Sequence, residues 1–148
     1  MKIIIADTSS LILLTKIGRL NLLEYLFGEV LVTNEVAKEY GMELPSFISV
    51  KDPENIKNQR ELLRILDEGE ASSIALAIEI PGCRIKIDEK KGRRVALELD
   101  LEIMGTLGVL IEASDKGFLR LDQRLIDRLN NAGFYLSASL KNSLLDRS

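Results

Sequence analysis

Apolar and polar positions along this chain fall into two alternating kinds of block. Short β-branched runs, Lys2-Ile3-Ile4-Ile5-Ala6, Val30-Leu31-Val32-Thr33 and Arg84-Ile85-Lys86-Ile87, have the length and composition of buried strands. Between them lie longer stretches with helical spacing. Ala71, Ile74, Ala75 and Ile78 fall at i, i+3, i+4 and i+7, which predicts a buried stripe on a helix over 70–79. The full pattern predicts strands at 2–6, 30–33, 84–87 and 101–104, with an edge strand at 47–50. Helices are expected at 9–16, 18–27, 34–40, 55–66, 70–79, 90–99, 107–116, 120–131 and 138–146. Strands alternating with helices imply βαβ units. They predict an α/β fold with a mostly parallel central sheet of about four to five strands, covered on both faces.

No repeat, low-complexity tract or long linker divides the 148 residues, so one domain over 1–148 is expected. The N-terminus runs directly into Lys2-Ile3-Ile4-Ile5 without a signal-peptide core, and no apolar run reaches the roughly 20 residues of a membrane span. One cysteine, Cys83, allows no disulfide within the chain, and a cytoplasmic location is expected. The chain has no histidine, which excludes Ser–His and Cys–His catalysis and His-ligated zinc. Acid–base or metal chemistry therefore falls to carboxylates.

Two strands end on an aspartate: Ile3-Ile4-Ile5-Ala6-Asp7 and Ile85-Lys86-Ile87-Asp88. The carboxyl ends of parallel strands are where open α/β sheets bind ligands. Asp7 precedes Thr8-Ser9-Ser10, so helix capping explains it equally well, and Asp88 also suits a cap or a turn. Glu39, on the helix after the second strand, shares a side with the inward residues Val36 and Tyr40, whereas Glu35 reads as the solvent-facing one. Taken alone, Glu39 reads better as a surface charge. Glu70 opens the alanine-rich helix, where a carboxylate also favours the helix dipole. If Asp7, Glu39, Glu70 and Asp88 converge, each pair of like charges about 5 Å apart repels by roughly 3 kcal/mol at an effective dielectric near 20. Such a cluster calls for protonation or a cation. An oxygen-only donor set favours Mg²⁺ or Mn²⁺, which activate water and clamp phosphodiesters. Asp-x-Asp after the first strand, a Walker-type loop and a G-x-G-x-x-G are all missing, which argues against other phosphate chemistries.

Net charge is −3, from 20 basic and 23 acidic residues, which argues against a generic nucleic-acid-coating protein. The charge is unevenly spread. Lys90, Lys91, Arg93 and Arg94 crowd around Asp88 and suit phosphate, and without the four candidate acids the balance turns slightly basic. Lys116, Arg120, Arg124 and Arg128 recur every four residues beside an apolar ridge of Leu121, Leu125 and Leu129, and read as a solvated helix face. Leu20-Asn21-Leu22-Leu23-Glu24-Tyr25-Leu26-Phe27 is either core or a self-association surface, which would make a homodimer.

Several pieces together resemble a PIN domain, the metal-dependent RNase fold of the VapC-type toxins. They are Ile4-Ile5-Ala6-Asp7-Thr8-Ser9-Ser10-Leu11-Ile12, Val30-Leu31-Val32-Thr33 leading to Val36-Ala37-Lys38-Glu39, Gly69-Glu70-Ala71-Ser72-Ser73-Ile74-Ala75-Leu76-Ala77, and Ile87-Asp88-Glu89. Lys16-Ile17-Gly18-Arg19-Leu20 and Gly105-Thr106-Leu107-Gly108-Val109-Leu110 resemble a prokaryotic PIN subgroup. The resemblance implies three-layer α/β/α architecture with acids at the carboxyl edge of the sheet. It implies a Mg²⁺- or Mn²⁺-dependent endoribonuclease, with Asp7, Glu39, Glu70 and Asp88 as catalytic and metal-binding residues. RNA would be the substrate and an antitoxin protein a possible partner. Thr8, Ser9 and Thr106, with Lys90, Lys91, Arg93 and Arg94, would contact substrate. The chain departs from the family at Ala71, where many members carry an aspartate. That departure leaves open a second reading, a PIN fold kept as an RNA-binding or protein-interaction module.

Overall fold

Ile3, Ile4 and Ile5 form the middle strand of a five-stranded parallel sheet in a computed structural model that describes residues 1–147. In chain order the elements are β1 (Ile3–Ala6), α1 (Thr8–Lys16), α2 (Leu22–Leu26), β2 (Glu29–Val32), α3 (Asn34–Tyr40), β3 (Ile48–Val50) and α4 (Ile56–Leu62). They continue as α5 (Glu68–Glu79), β4 (Arg84–Lys86), α6 (Lys90–Glu98), β5 (Glu102–Met104), α7 (Thr106–Asp115), α8 (Gln123–Asn131) and α9 (Ala138–Arg147). The strand order is β3-β2-β1-β4-β5, with every pairing parallel. The chain therefore has the α/β fold that its alternating pattern predicts.

Side chains on a strand point alternately to the two faces, and here they divide the core in two. Ile4, Ala6, Val30 and Val32 pack with residues of α1, α2, α3, α7, α8 and α9. Ile5, Leu31, Ile85 and Ile87 pack with residues of α4, α5 and α6. Ile4 and Ile5 are wholly buried, and each contributes roughly 1.5–3 kcal/mol relative to exposure. With both faces covered, the inner residues of the central strands, among them Ile4, Ile5, Ala6, Ile85 and Lys86, are buried whichever way they point.

Several expectations change in detail. Helix α2 is shorter than 18–27, because Gly18 has a left-handed φ of 71° and interrupts the path from α1. Leu22, Leu23, Leu26 and Phe27 are core, while Tyr25 is exposed and packs its ring 5.3 Å from that of Phe118. The stripe on α5 is not a single stripe. Burial extends continuously from Ala71 to Ala77, while Ile78 is exposed. The basic four-residue period does not lie on one helix either. Lys116 follows α7, Gly117 turns with a φ of 82°, Arg120 precedes α8, and Asp122 caps α8 through Leu125 N–H. Leu121, Leu125 and Leu129 are buried as expected. Among the described residues no helix is long and apolar enough to cross a membrane.

Candidate functional site

The register of the sheet brings the two strand-end aspartates together. Ala6 pairs with Lys86, which pairs in turn with Met104, so Asp7, Ile87-Asp88 and Gly105-Thr106 emerge side by side. Asp7 N–H donates to the Lys86 carbonyl at 3.4 Å, and Ile87 N–H to the Met104 carbonyl at 3.0 Å.

Asp7 is 1% exposed and serves two ends with its two oxygens. Its Oδ1 accepts from Ser10 N–H at 3.0 Å and caps α1, while its Oδ2 is buried without a hydrogen-bond partner. Burial raises the carboxyl pKa, the Ser10 contacts and Lys86 pull it down, and Asp88 pushes it up. One side chain therefore both caps a helix and keeps a buried, unpartnered oxygen.

Asp88 is the most heavily bonded of the acids. Its Oδ1 accepts from Thr106 N–H at 2.7 Å, and its Oδ2 accepts from Thr106 Oγ1 at 2.6 Å and Lys86 Nζ at 2.9 Å. Lys86 Nζ also donates to Thr106 Oγ1 at 2.7 Å, which closes a three-membered ring of polar groups. Burial opposes the Asp88 charge, but Lys86 and Thr106 outweigh it and hold the carboxyl below its ordinary range. Lys86 is wholly buried. Burial lowers its pKa, and the neighbouring Asp88 and Asp7 oppose that fall. Asp88 lies two residues beyond the end of β4, and the chain turns its carboxylate back onto Lys86 Nζ.

Glu39 is exposed, as a surface charge would be, while Glu35, expected to face solvent, is partly buried. Glu39 nevertheless turns toward Asp7's neighbour: its Oε1 accepts from Thr8 Oγ1 at 2.8 Å. Gly69 leaves the space for this pair, because a Cβ there would overlap Glu39 Oε1 and lie 2.9 Å from Thr8 Oγ1. Glu70 lies in the first turn of α5, whose cap, Asp67, accepts from Glu70 N–H at 2.8 Å. Glu70 Oε2 is buried and has no hydrogen-bond partner. Burial, with Asp67 and Glu89 alongside, pushes the Glu70 carboxyl up to about 8. Glu89 caps α6 by accepting from Gly92 N–H at 2.8 Å.

The predicted acids thus form three neighbouring groups: Asp7 with Asp88 around Lys86, Glu39 with Thr8, and Glu70 with Asp67 and Glu89. Among the described residues no three acids gather as a ready-made cation cage. Mg²⁺ does not need one, since it commonly takes one or two carboxylates and completes its shell with water and substrate phosphate. Hard oxygen donors, one of them the buried, unpartnered Asp7 Oδ2, fit such an ion.

Ser9 is exposed in the first turn of α1, and Thr106 is buried at the start of α7. Lys90, Lys91 and Arg94 are assigned to α6 together with Arg93, which donates from its guanidinium to the Ile87 carbonyl at 3.2 Å. Lys90, Lys91 and Arg94 are exposed, whereas Arg93 is partly buried. A cavity of about 590 Å³ opens beside Asp88, lined by Lys90, Arg93, Met104, Gly105 and Phe134 among others. Sequence reasoning misses a role for Lys86, which it places only within the strand run Arg84-Ile85-Lys86-Ile87. The available signal is a charged residue between Ile85 and Ile87 in a sheet covered on both faces, with an acid two positions on.

No curated protein matches the chain. A family model described as a PIN domain matches residues 3–148, and with that span of agreement the chain belongs to the PIN domain family.

Proposed function

We propose that this chain is a nuclease that hydrolyses RNA phosphodiester bonds with the help of Mg²⁺ or Mn²⁺. The observation that carries this reading is the buried Asp7 Oδ2, which has no hydrogen-bond partner at the carboxyl end of the central strand of a PIN fold. A divalent ion bound there supplies Lewis-acid polarisation of phosphate and a more acidic water. Asp7 holds the ion, with Asp88 and Glu39 adding negative potential around it. Thr8, already donating to Glu39, and the start of α1 orient the attacked phosphate. Burial raises the Glu70 carboxyl, which suits it to donate a proton to the leaving oxygen. Lys90, Lys91, Arg93 and Arg94 neutralise flanking phosphates. The test is cleavage of a single-stranded RNA with Mn²⁺: Asp7→Asn abolishes it with the fold intact, and an equally active variant overturns the proposal. As the toxin of a toxin–antitoxin pair, the wild type would arrest growth on induction and Asp7→Asn would not.

A second reading, a PIN fold that binds RNA without cutting it, is favoured by one observation. The Asp88 carboxylate is already engaged by Lys86 and Thr106. A wild type that retains RNA but neither cleaves it nor binds Mn²⁺ would decide for this alternative.

A further inference from the structure

Lys86 has no part in the proposed reaction, yet it is a wholly buried ammonium at the centre of the acidic pocket. Its Nζ lies 2.9 Å from Asp88 Oδ2 and 2.7 Å from Thr106 Oγ1, and Asp7 also feels its charge. Thr106 Oγ1 donates to the same Asp88 oxygen at 2.6 Å, so both lone pairs of that oxygen are taken. Asp88 Oδ1 is held by Thr106 N–H at 2.7 Å. Of the two strand-end aspartates, Asp7 is the one with an oxygen, Oδ2, that is buried and wholly unpartnered.

We propose that the Lys86 ammonium is a resident cation of this pocket, taking the place on Asp88 that a divalent ion would otherwise fill, so that the pocket loads one divalent ion on the Asp7 side. The inference rests on the metal-nuclease reading for the identity of the ion, but not for the role of Lys86. Two carboxylates side by side in a buried pocket need compensation, and a tethered ammonium provides it at any metal concentration. The acids can therefore stay assembled without a divalent ion. A like charge close to the loaded ion also weakens that ion's binding.

Calorimetric titration of the full chain with Mn²⁺ tests this. Wild type is expected to take one ion. Lys86→Gln, which frees Asp88 and removes the like charge, is expected to bind Mn²⁺ about tenfold or more tightly. Lys86→Arg, which keeps the charge, stays close to wild type. Thermal melting gives a second readout: in chelator Lys86→Gln melts below wild type, and Mn²⁺ raises its midpoint more than that of wild type. Should Lys86→Gln fail to fold, two variants with Lys86 intact decide the matter. Asp7→Asn then abolishes Mn²⁺ binding, while Asp88→Asn leaves it within a few-fold. Equal loss in both, or Mn²⁺ affinity in Lys86→Gln no higher than in wild type, overturns the inference. If wild type is silent and Lys86→Gln binds, the metal-nuclease reading and the loading of one ion beside Asp7 both fall, and only the displacement of an ion by Lys86 stands. If neither binds, both fall.

Discussion

A Cβ at Gly92 would lie 2.7 Å from Glu70 Oε2 and 3.2 Å from Ile87 Cδ1, so Gly92 and Glu70 meet directly across α5 and α6. The Glu70 carboxyl is the mobile end of a long side chain, and alanine is the better helix former by about 1 kcal/mol. Gly92→Ala is therefore expected to displace Glu70 rather than unfold the protein. Its thermal midpoint should stay within a few degrees of wild type, while cleavage falls to the level of Glu70→Gln. A Gly92→Ala variant with wild-type cleavage would show that the Glu70 position is unimportant to the reaction.

The raised pKa of Glu70 sets a pH dependence for the metal-free protein. The folded carboxyl titrates near 8 and the unfolded one near 4.5, so between those values the folded chain binds more protons. The stabilisation is full below about 4.5 and is lost as pH rises through about 8. In chelator, the thermal midpoint of wild type should fall across that window relative to Glu70→Gln, whose curve should be flatter. Parallel curves for the two proteins would contradict the assignment.

Asp7 separates two roles in one measurement. Asp7→Asn keeps an oxygen for Ser10 N–H and removes a buried charge, so its urea midpoint should equal or exceed that of wild type while cleavage is lost. Asp7→Ala removes the cap as well and should cost about 1 kcal/mol.

Thr106 bridges Lys86 and Asp88 with its hydroxyl. Thr106→Val leaves both groups buried and one partner short, which is expected to cost about 1–3 kcal/mol. Thr106→Ser restores the hydroxyl and most of the stability. Urea denaturation of the pair distinguishes loss of the hydrogen bond from loss of the methyl group, since only valine lacks the former.

Lys90 and Lys91 are exposed on α6 and make the simplest test of RNA binding by this face. Double substitution to alanine should weaken RNA binding uniformly across sequences. The slope of log affinity against log salt should shrink by about 0.7 for each phosphate that the variant no longer neutralises. An unchanged slope would place RNA elsewhere on the molecule.

The sheet is readable from sequence because its strands are short β-branched runs bounded by polar residues, and Asp7 is readable because it ends such a run. Asp88 follows by the same logic. Glu39 is harder, because its reach is decided by a side chain that leaves an exposed helix position and bends to Thr8, which helical spacing does not encode. Lys86 is obscured by its sequence neighbours. The six cations in residues 84–94 draw the reading toward phosphate contacts, whereas a charged residue inside a doubly covered sheet demands an internal partner. The basic period from Lys116 to Arg128 misleads for the opposite reason. Regular spacing is present, but Gly117 and the Asp122 cap divide it between two elements.

Because β1 is flanked by β2 on one side and β4 on the other, the first strand of the domain to be synthesised is completed by one of the later ones. A nascent chain can join Ile3–Ile5 to residues 29–31 early, but residues 84–86 must be synthesised before the other edge closes and Lys86 reaches the aspartates. Asp7, Lys86 and Asp88 are thus brought together only after more than half of the domain has been translated, so a truncated product lacks this arrangement.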